Sequence, residues 1–267
     1  MSSEEQARLQ MQQLQQNNGV EAFPIATRDV SHQLRLPQKL YGRAGDIERL
    51  RQEFARASAG QQQLLLISGY PGVGKSALVQ EVHKGIAEGG GLTIAGKFDL
   101  LSRSVPYSAV LHAFRDLMRQ LLSEPEEHLS KWRLQIQSAV GRNGQVLVEL
   151  IPELEQIIGP QPAVPELGAT ESQNRFGLVF QNFLRVFSRP GQTLVVFLDD
   201  LQWADLASLR LLETLLADSS GGHLLFLGAY RDNEVDSLHP LSRTCSKLRE
   251  AGVQIQEIRL QPLSFAD

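Results

Sequence analysis

The densest chemistry in this 267-residue sequence is the octet Gly69-Tyr70-Pro71-Gly72-Val73-Gly74-Lys75-Ser76. Its spacing is G-x-x-x-x-G-K-[ST], and each residue type has a physical reason. Glycines let the backbone curl until successive N–H groups point inward, which makes an anion nest at the start of a helix. Lys75 would reach the β- and γ-phosphates of a nucleotide, and the Ser76 hydroxyl would coordinate Mg²⁺. Gly69, Gly72, Val73, Gly74, Lys75, Ser76 and Ala77 together read as a cradle for ATP. Chance alone yields the bare pattern in about one of every 100 chains this long. A Gly-rich turn without function is the competing reading.

A phosphate cradle calls for a second element, an apolar strand ending in an acid that holds the metal. The run Leu194-Val195-Val196-Phe197-Leu198-Asp199-Asp200 supplies it. Asp199 is the candidate metal-side carboxylate, through water, and Asp200 the candidate general base for an attacking water. Paired acids at a strand end also suit a turn or a helix cap. The next apolar run ends Ala229-Tyr230-Arg231-Asp232, and ligands of open α/β sheets gather at strand C-terminal ends. Arg231 is therefore placed to bind two γ-phosphate oxygens. An ion pair with Asp232 or Glu234 is its structural alternative.

These residues need elements to position them. Ile47, Leu50 and Phe54 mark a helix stopped by Gly60, and Leu64-Leu65-Leu66-Ile67 a strand covered on both faces. Leu78, Val82 and Ile86 mark the helix after the octet, ended by Gly89-Gly90-Gly91. Residues 92–98 read as a strand, and Val110, Phe114, Leu117 and Leu121 as an amphipathic helix. Residues 123–170 show helical pieces over 132–140 and 145–150, then a loop punctuated by Pro152, Pro160, Pro162 and Pro165. Phe176, Phe180, Phe183 and Phe187 form a helical stripe suited to core packing. Strands are expected over 193–198, 224–229 and 253–260, the last an edge strand by its polar interruptions. The expected fold is α/β, a three-layer α/β/α sandwich with a mostly parallel five-stranded sheet. It occupies 37–267, after a flexible Gln-rich tail or linker over 1–36.

Composition excludes other classes. Twenty-six basic and 30 acidic residues leave a net charge of −4, which argues against non-specific nucleic-acid binding. The one cysteine, Cys245, rules out a disulfide scaffold and Cys-rich zinc modules, and the six histidines show no metal-ligand spacing. No apolar run reaches membrane-span length and residues 1–20 carry no secretory pattern, so a cytoplasmic protein without a membrane partner is expected. Trp203 suits helix–sheet packing better than a nucleotide contact, and Asp205 a helix cap. Arg115 and Arg119 read as a solvated face.

The octet, the run Asp199-Asp200-Leu201-Gln202-Trp203-Ala204-Asp205 and Ala229-Tyr230-Arg231-Asp232 together resemble the STAND class of AAA-like ATPases. The likeness is to the predicted-ATPase module of bacterial signalling proteins, where it is joined to kinase, cyclase or transcription-factor domains. Leu40-Tyr41-Gly42-Arg43 looks like the opening segment whose backbone lines the adenine, which implies contacts from Tyr41, Gly42 and Arg43. Gly96-Lys97-Phe98-Asp99 also looks like the family. The resemblance implies a Walker A pair at Lys75 and Ser76, a Walker B acid at Asp199, a second acid at Asp200 and a sensor-type arginine at Arg231. It would place the Gly69 and Asp199 strands side by side, with the Arg231 strand beside the P-loop strand. Many AAA-like enzymes carry Glu at the Asp200 position, whereas STAND proteins often have Asp and behave as slow switches. Residues 261–267 look like the start of a helical lid, so the lid is expected to be missing from this chain. The expected function is an ATP/Mg²⁺-binding switch with weak ATPase activity, partnered by linked or separate kinase, sensor or output domains. A nucleotide-dependent oligomer is compatible with it. An initiator-like ATPase acting on nucleic acid and a non-hydrolysing ATP-binding scaffold are the alternatives.

Overall fold

Four consecutive large aliphatics at 64–67, in a run too short for a buried helix, suit a strand covered on both faces. The computed structural model, which describes residues 42–218 and 222–262, has that strand as β1 (Gln63–Ser68), buried throughout. Four more strands follow: β2 (Leu92–Lys97), β3 (Leu194–Asp199), β4 (Leu224–Tyr230) and β5 (Ile255–Arg259). They form one sheet in the order β2-β3-β4-β1-β5, and every neighbouring pair is parallel. β5 is an edge strand, as its polar interruptions predict.

Alternate side chains of β1 feed two cores. Leu65 and Ile67 pack with α1 (Ala44–Ser58) and α2 (Lys75–Glu88), through Leu50, Leu78, Val82 and Ile86. Leu64 and Leu66 belong to the larger core on the other face. That core draws on α3 (Ser108–Leu122), α7 (Ala169–Phe187), α8 (Leu206–Ala217) and α9 (Pro240–Glu250). The chain is thus a three-layer α/β/α sandwich, the P-loop NTPase fold.

The expected strand order needs one correction. β1 and β3 are not neighbours, because β4 lies between them, pairing Leu194 with Leu224 on one side and Gln63 with Leu225 on the other. The single crossover through α8 returns the chain beside β3, and β4 has the apolar side chains to be buried on both faces, as only an interior strand is. The neighbouring of β4 and β1 is as expected. The acid strand and the octet strand thus face each other across the width of β4.

Residues 123–168 hold more helix than the periodicity indicates. α4 (Glu126–Val140) and α5 (Gly144–Val148) extend or match the expected pieces, and α6 (Glu153–Ile158) lies where a loop was expected. Pro152 does not break α6; it stands at its N-cap with φ −58°, where its missing N–H costs nothing. Residues 159–168 are irregular, in line with Pro160, Pro162 and Pro165. Arg115 and Arg119 depart from a purely solvated face. Arg115 donates to the Leu150 carbonyl at 2.7 Å and Arg119 to Glu153 at 2.6 Å, so the pair ties α3 to the segment carrying α6. The 1–36 tail lies outside the described residues. Among the described residues no helix is long and apolar enough to cross a membrane.

Candidate functional site

The octet forms the loop between β1 and α2, and its glycines take backbone angles other residues resist. Gly72 and Gly74 have φ of 77° and 100°, with open space where a side chain would start. Gly69, at φ 150°, is pressed against the chain leaving β5: a Cβ there would stand 2.7 Å from the Leu260 carbonyl oxygen. Lys75, only 8% exposed, donates to the carbonyls of Gly69 at 2.8 Å and Tyr70 at 3.0 Å. Burial holds its ammonium below the ordinary lysine range, and the nearby Asp199 and Asp200 carboxylates oppose that shift.

The Ser76 hydroxyl donates to Asp199 Oδ2 at 2.7 Å, joining the first turn of α2 to the end of β3 across 123 residues of sequence. Asp199 Oδ1 accepts the Asp200 backbone N–H at 2.9 Å. Asp200 has the left-handed angles φ 55°, ψ 45°, which turn the chain out of the strand, and its side chain is buried. Three donors surround that carboxylate. Lys97 Nζ stands at 3.3 Å, Arg231 Nε at 3.4 Å, and Gln202 Nε2 donates at 2.8 Å. A cavity of about 260 Å³ opens between the loop and the strand ends, lined by Gly72, Lys75, Ser76, Asp199, Asp200 and Arg231, with Gly74, Ala77 and Lys97 also on its wall.

The structure thus brings Gly72, Gly74, Lys75, Ser76, Ala77, Asp199, Asp200 and Arg231 to one cavity. Gly69 and Val73 belong to the same loop but are not among the residues lining the cavity. Arg231 also makes the ion pair named as its alternative, to Glu234 at 2.8 Å, and that hydrogen bond holds its guanidinium above its ordinary value. Tyr41 lies outside the described residues. Gly42 and Arg43 precede α1, and the buried Arg43 side chain donates to the carbonyls of Val73 at 3.3 Å and Gln261 at 2.5 Å, bracing the loop against the chain beyond β5.

Two residues at the site carried no assigned role in the sequence. Lys97 is exposed, and only the pairing of β2 with β3 brings it to Asp200. Gln202 is 2% exposed and links the Asp200 carboxylate to the Arg231 backbone N–H, which it accepts at 3.2 Å. A buried glutamine two residues after a strand-end acid is the signal that points to it, since a buried amide must find partners. Asp205 caps α8 as expected, accepting the Ser208 N–H at 2.8 Å. Cys245 is buried, and burial pushes its thiol up to about 11, leaving it a poor nucleophile.

A family model described as the AAA ATPase domain matches residues 39–227. Hybrid signal transduction histidine kinase G of Dictyostelium discoideum is 36% identical over 200 residues, covering 75% of this chain and 6% of that protein. Histidine protein kinase 1 of Candida albicans is 24% identical over 205 residues, covering 70% of this chain and 8% of that protein. The chain therefore spans less than a tenth of the length of either relative. Among solved structures, Cdc6p from Pyrobaculum aerophilum matches with 13% identity and a TM-score of 0.47, covering 85% of this chain and 47% of its own.

Proposed function

Because this chain belongs to the AAA ATPase domain family, we propose that its cavity binds ATP with Mg²⁺ and works as a slow nucleotide switch of the STAND type. The carrying observation is the Ser76–Asp199 hydrogen bond beside the buried Lys75. A hydroxyl and a carboxylate on one edge of a phosphate-sized cradle are the donor set Mg²⁺ prefers, since it keeps several waters and takes the rest from phosphate oxygens. Bound there, the ion would neutralise charge on the β- and γ-phosphates. The loop's N–H groups and Lys75 would bind the phosphates, Lys75 exchanging its two carbonyl partners for phosphate oxygens. Arg231 lines the same cavity with a guanidinium suited to a terminal phosphate.

Slow turnover is supported by Asp200. A carboxylate already held by Lys97, Arg231 and Gln202 is not free to take a proton from water, so it would act as base only when those partners are drawn off. The signalling setting rests on the two histidine-kinase relatives, of which this chain matches a small share. In that setting closure around ATP would alter contacts with linked kinase, sensor or output domains, and hydrolysis would reset them.

Equilibrium titration with MgATP tests the reading. Lys75→Met should weaken binding at least about 100-fold, roughly 3 kcal/mol, as a buried charge–phosphate contact is lost. Equal affinities of wild type and variant would remove the site assignment.

A further inference from the structure

Trp203 and Gln202 lie in the short 3₁₀ turn Leu201–Trp203, which begins where the left-handed Asp200 ends β3. The turn is pinned on every side. The Trp203 N–H bonds the Asp200 carbonyl at 2.9 Å, and the Ala204 N–H bonds the Leu201 carbonyl at 3.1 Å. Asp205 then fixes the exit by capping α8 and accepting the Tyr107 N–H at 3.3 Å. Underneath, Gly228 of β4 leaves room for Leu201: a Cβ at Gly228 would stand 2.4 Å from a Leu201 methyl carbon. The turn therefore rides directly on β4, the strand that delivers Arg231.

From this platform two side chains reach Arg231. The Arg231 guanidinium carbon stands 4.7 Å from the Trp203 ring centroid, a cation–π contact. Gln202 accepts the Arg231 backbone N–H at 3.2 Å while donating to Asp200 at 2.8 Å. Glu234 and Asp200 hold the guanidinium's edges at 2.8 Å and 3.4 Å. A long, four-torsion side chain is thus confined by a ring on its face, two carboxylates at its edges and an amide at its root.

We infer that Trp203 and Gln202 are positioning residues that set the Arg231 guanidinium on the cavity wall, so that the pocket distinguishes a nucleoside triphosphate from a diphosphate. This rests on the nucleotide reading of the cavity. Without the ring, Arg231 keeps its charge and its carboxylate partners but loses the contact that fixes its face, and the triphosphate's terminal group meets a less pre-formed partner. The diphosphate, held by the loop and Lys75, is unaffected.

The test is equilibrium binding of MgADP and of magnesium with a non-hydrolysable ATP analogue to the 267-residue chain, with thermal melting to verify folding. Trp203→Leu should lower the triphosphate-to-diphosphate affinity ratio about five-fold, the scale of a partly buried cation–π contact. Trp203→Phe should restore most of the ratio. Gln202→Glu, which keeps the shape but sets a carboxylate against Asp200, should lower it as well. Adding Trp203→Leu to Arg231→Ala should cost nothing further, because both act through one guanidinium. An unchanged ratio in folded Trp203→Leu, equal weakening of both nucleotides, or additive losses with Arg231→Ala would each overturn the inference alone. No binding of either nucleotide by the wild type would instead overturn the nucleotide reading and this inference with it.

Discussion

Along α7, Phe176, Phe180, Phe183 and Phe187 are 5% exposed or less, and each meets another ring: Phe114 to Phe180 at 4.9 Å, Phe183 to Phe187 at 5.2 Å, Trp132 to Phe187 at 5.3 Å. At the ends of β1, β2, β3 and β4 the chain instead gathers Lys75, Lys97, Arg231, Asp199 and Asp200 around a cavity. The phenylalanine stripe is buried throughout and the second region only in part, through Lys75 and Asp200, and the two are built to different ends. The aromatic layer satisfies itself ring against ring, and the Arg189 guanidinium adds a cation–π contact 5.3 Å from the Trp132 centroid. The charged cluster is satisfied only by provisional contacts, with Lys75 on its own loop's carbonyls and Asp200 shared among three donors. A region that holds its groups in exchangeable contacts can accept a ligand; a region of interlocked rings can only hold the fold.

Truncating a ring is the strongest way to break that division. Phe180→Ala removes a fully buried side chain in contact with Phe114, Phe176 and Phe183, and should cost about 4 kcal/mol. Urea denaturation measures it through the midpoint at constant slope. Nucleotide affinity of the folded variant should stay within about two-fold of wild type on the same division. A parallel fall in affinity would show that the aromatic layer reaches the pocket.

The same division explains what the sequence reveals. The aromatic stripe and the octet are local patterns, set by 3.6-residue spacing in one case and by a nest of glycines in the other, so both are legible without a fold. The five strands are legible because each is a short apolar run. Their order is not, since nothing within the runs 64–67 or 194–198 states that β4 will stand between them. Lys97 and Gln202 are missed for the same reason. Lys97 reaches Asp200 only through the β2–β3 pairing, and the Gln202 amide matters only because β4 brings an N–H to it. Pro152 misleads in the opposite direction, because a proline ends one helix and begins another with equal ease.

A milder substitution sharpens the comparison from the other region. Ser76→Ala deletes the donor to Asp199, at a position half-open to the cavity. The folded state loses one hydrogen bond, worth about 1 kcal/mol, while Asp199 keeps the Asp200 N–H. The larger expected change is in metal dependence: the gain in ATP affinity on adding Mg²⁺ should shrink about ten-fold, with metal-free affinity little altered. Loss of stability without loss of the Mg²⁺ effect would make the serine part of the frame rather than of the exchangeable cluster.

The smallest effect comes from a charge that belongs to neither region. Arg119 is 55% exposed and joins Glu153, the first residue of α6, at 2.6 Å, with Asp116 at 2.7 Å on its own helix. A solvated pair of this kind contributes about 0.5 kcal/mol and is screened by salt. Burial pushes the Glu153 carboxyl up, but its backbone hydrogen bond and the Arg119 guanidinium outweigh that and hold it below its ordinary range. A carboxylate depressed in the folded state stabilises above its ordinary pKa, and that contribution is lost as pH falls through the depressed value. Arg119→Ala should therefore destabilise by about 0.5 kcal/mol at pH 7 in low salt. The difference from wild type should close as acid protonates Glu153, and close again at neutral pH in high salt. A cost that persisted through both titrations would have to come from the arginine's aliphatic stem packing between α3 and α6, which would extend the self-satisfied aromatic layer outward to its rim.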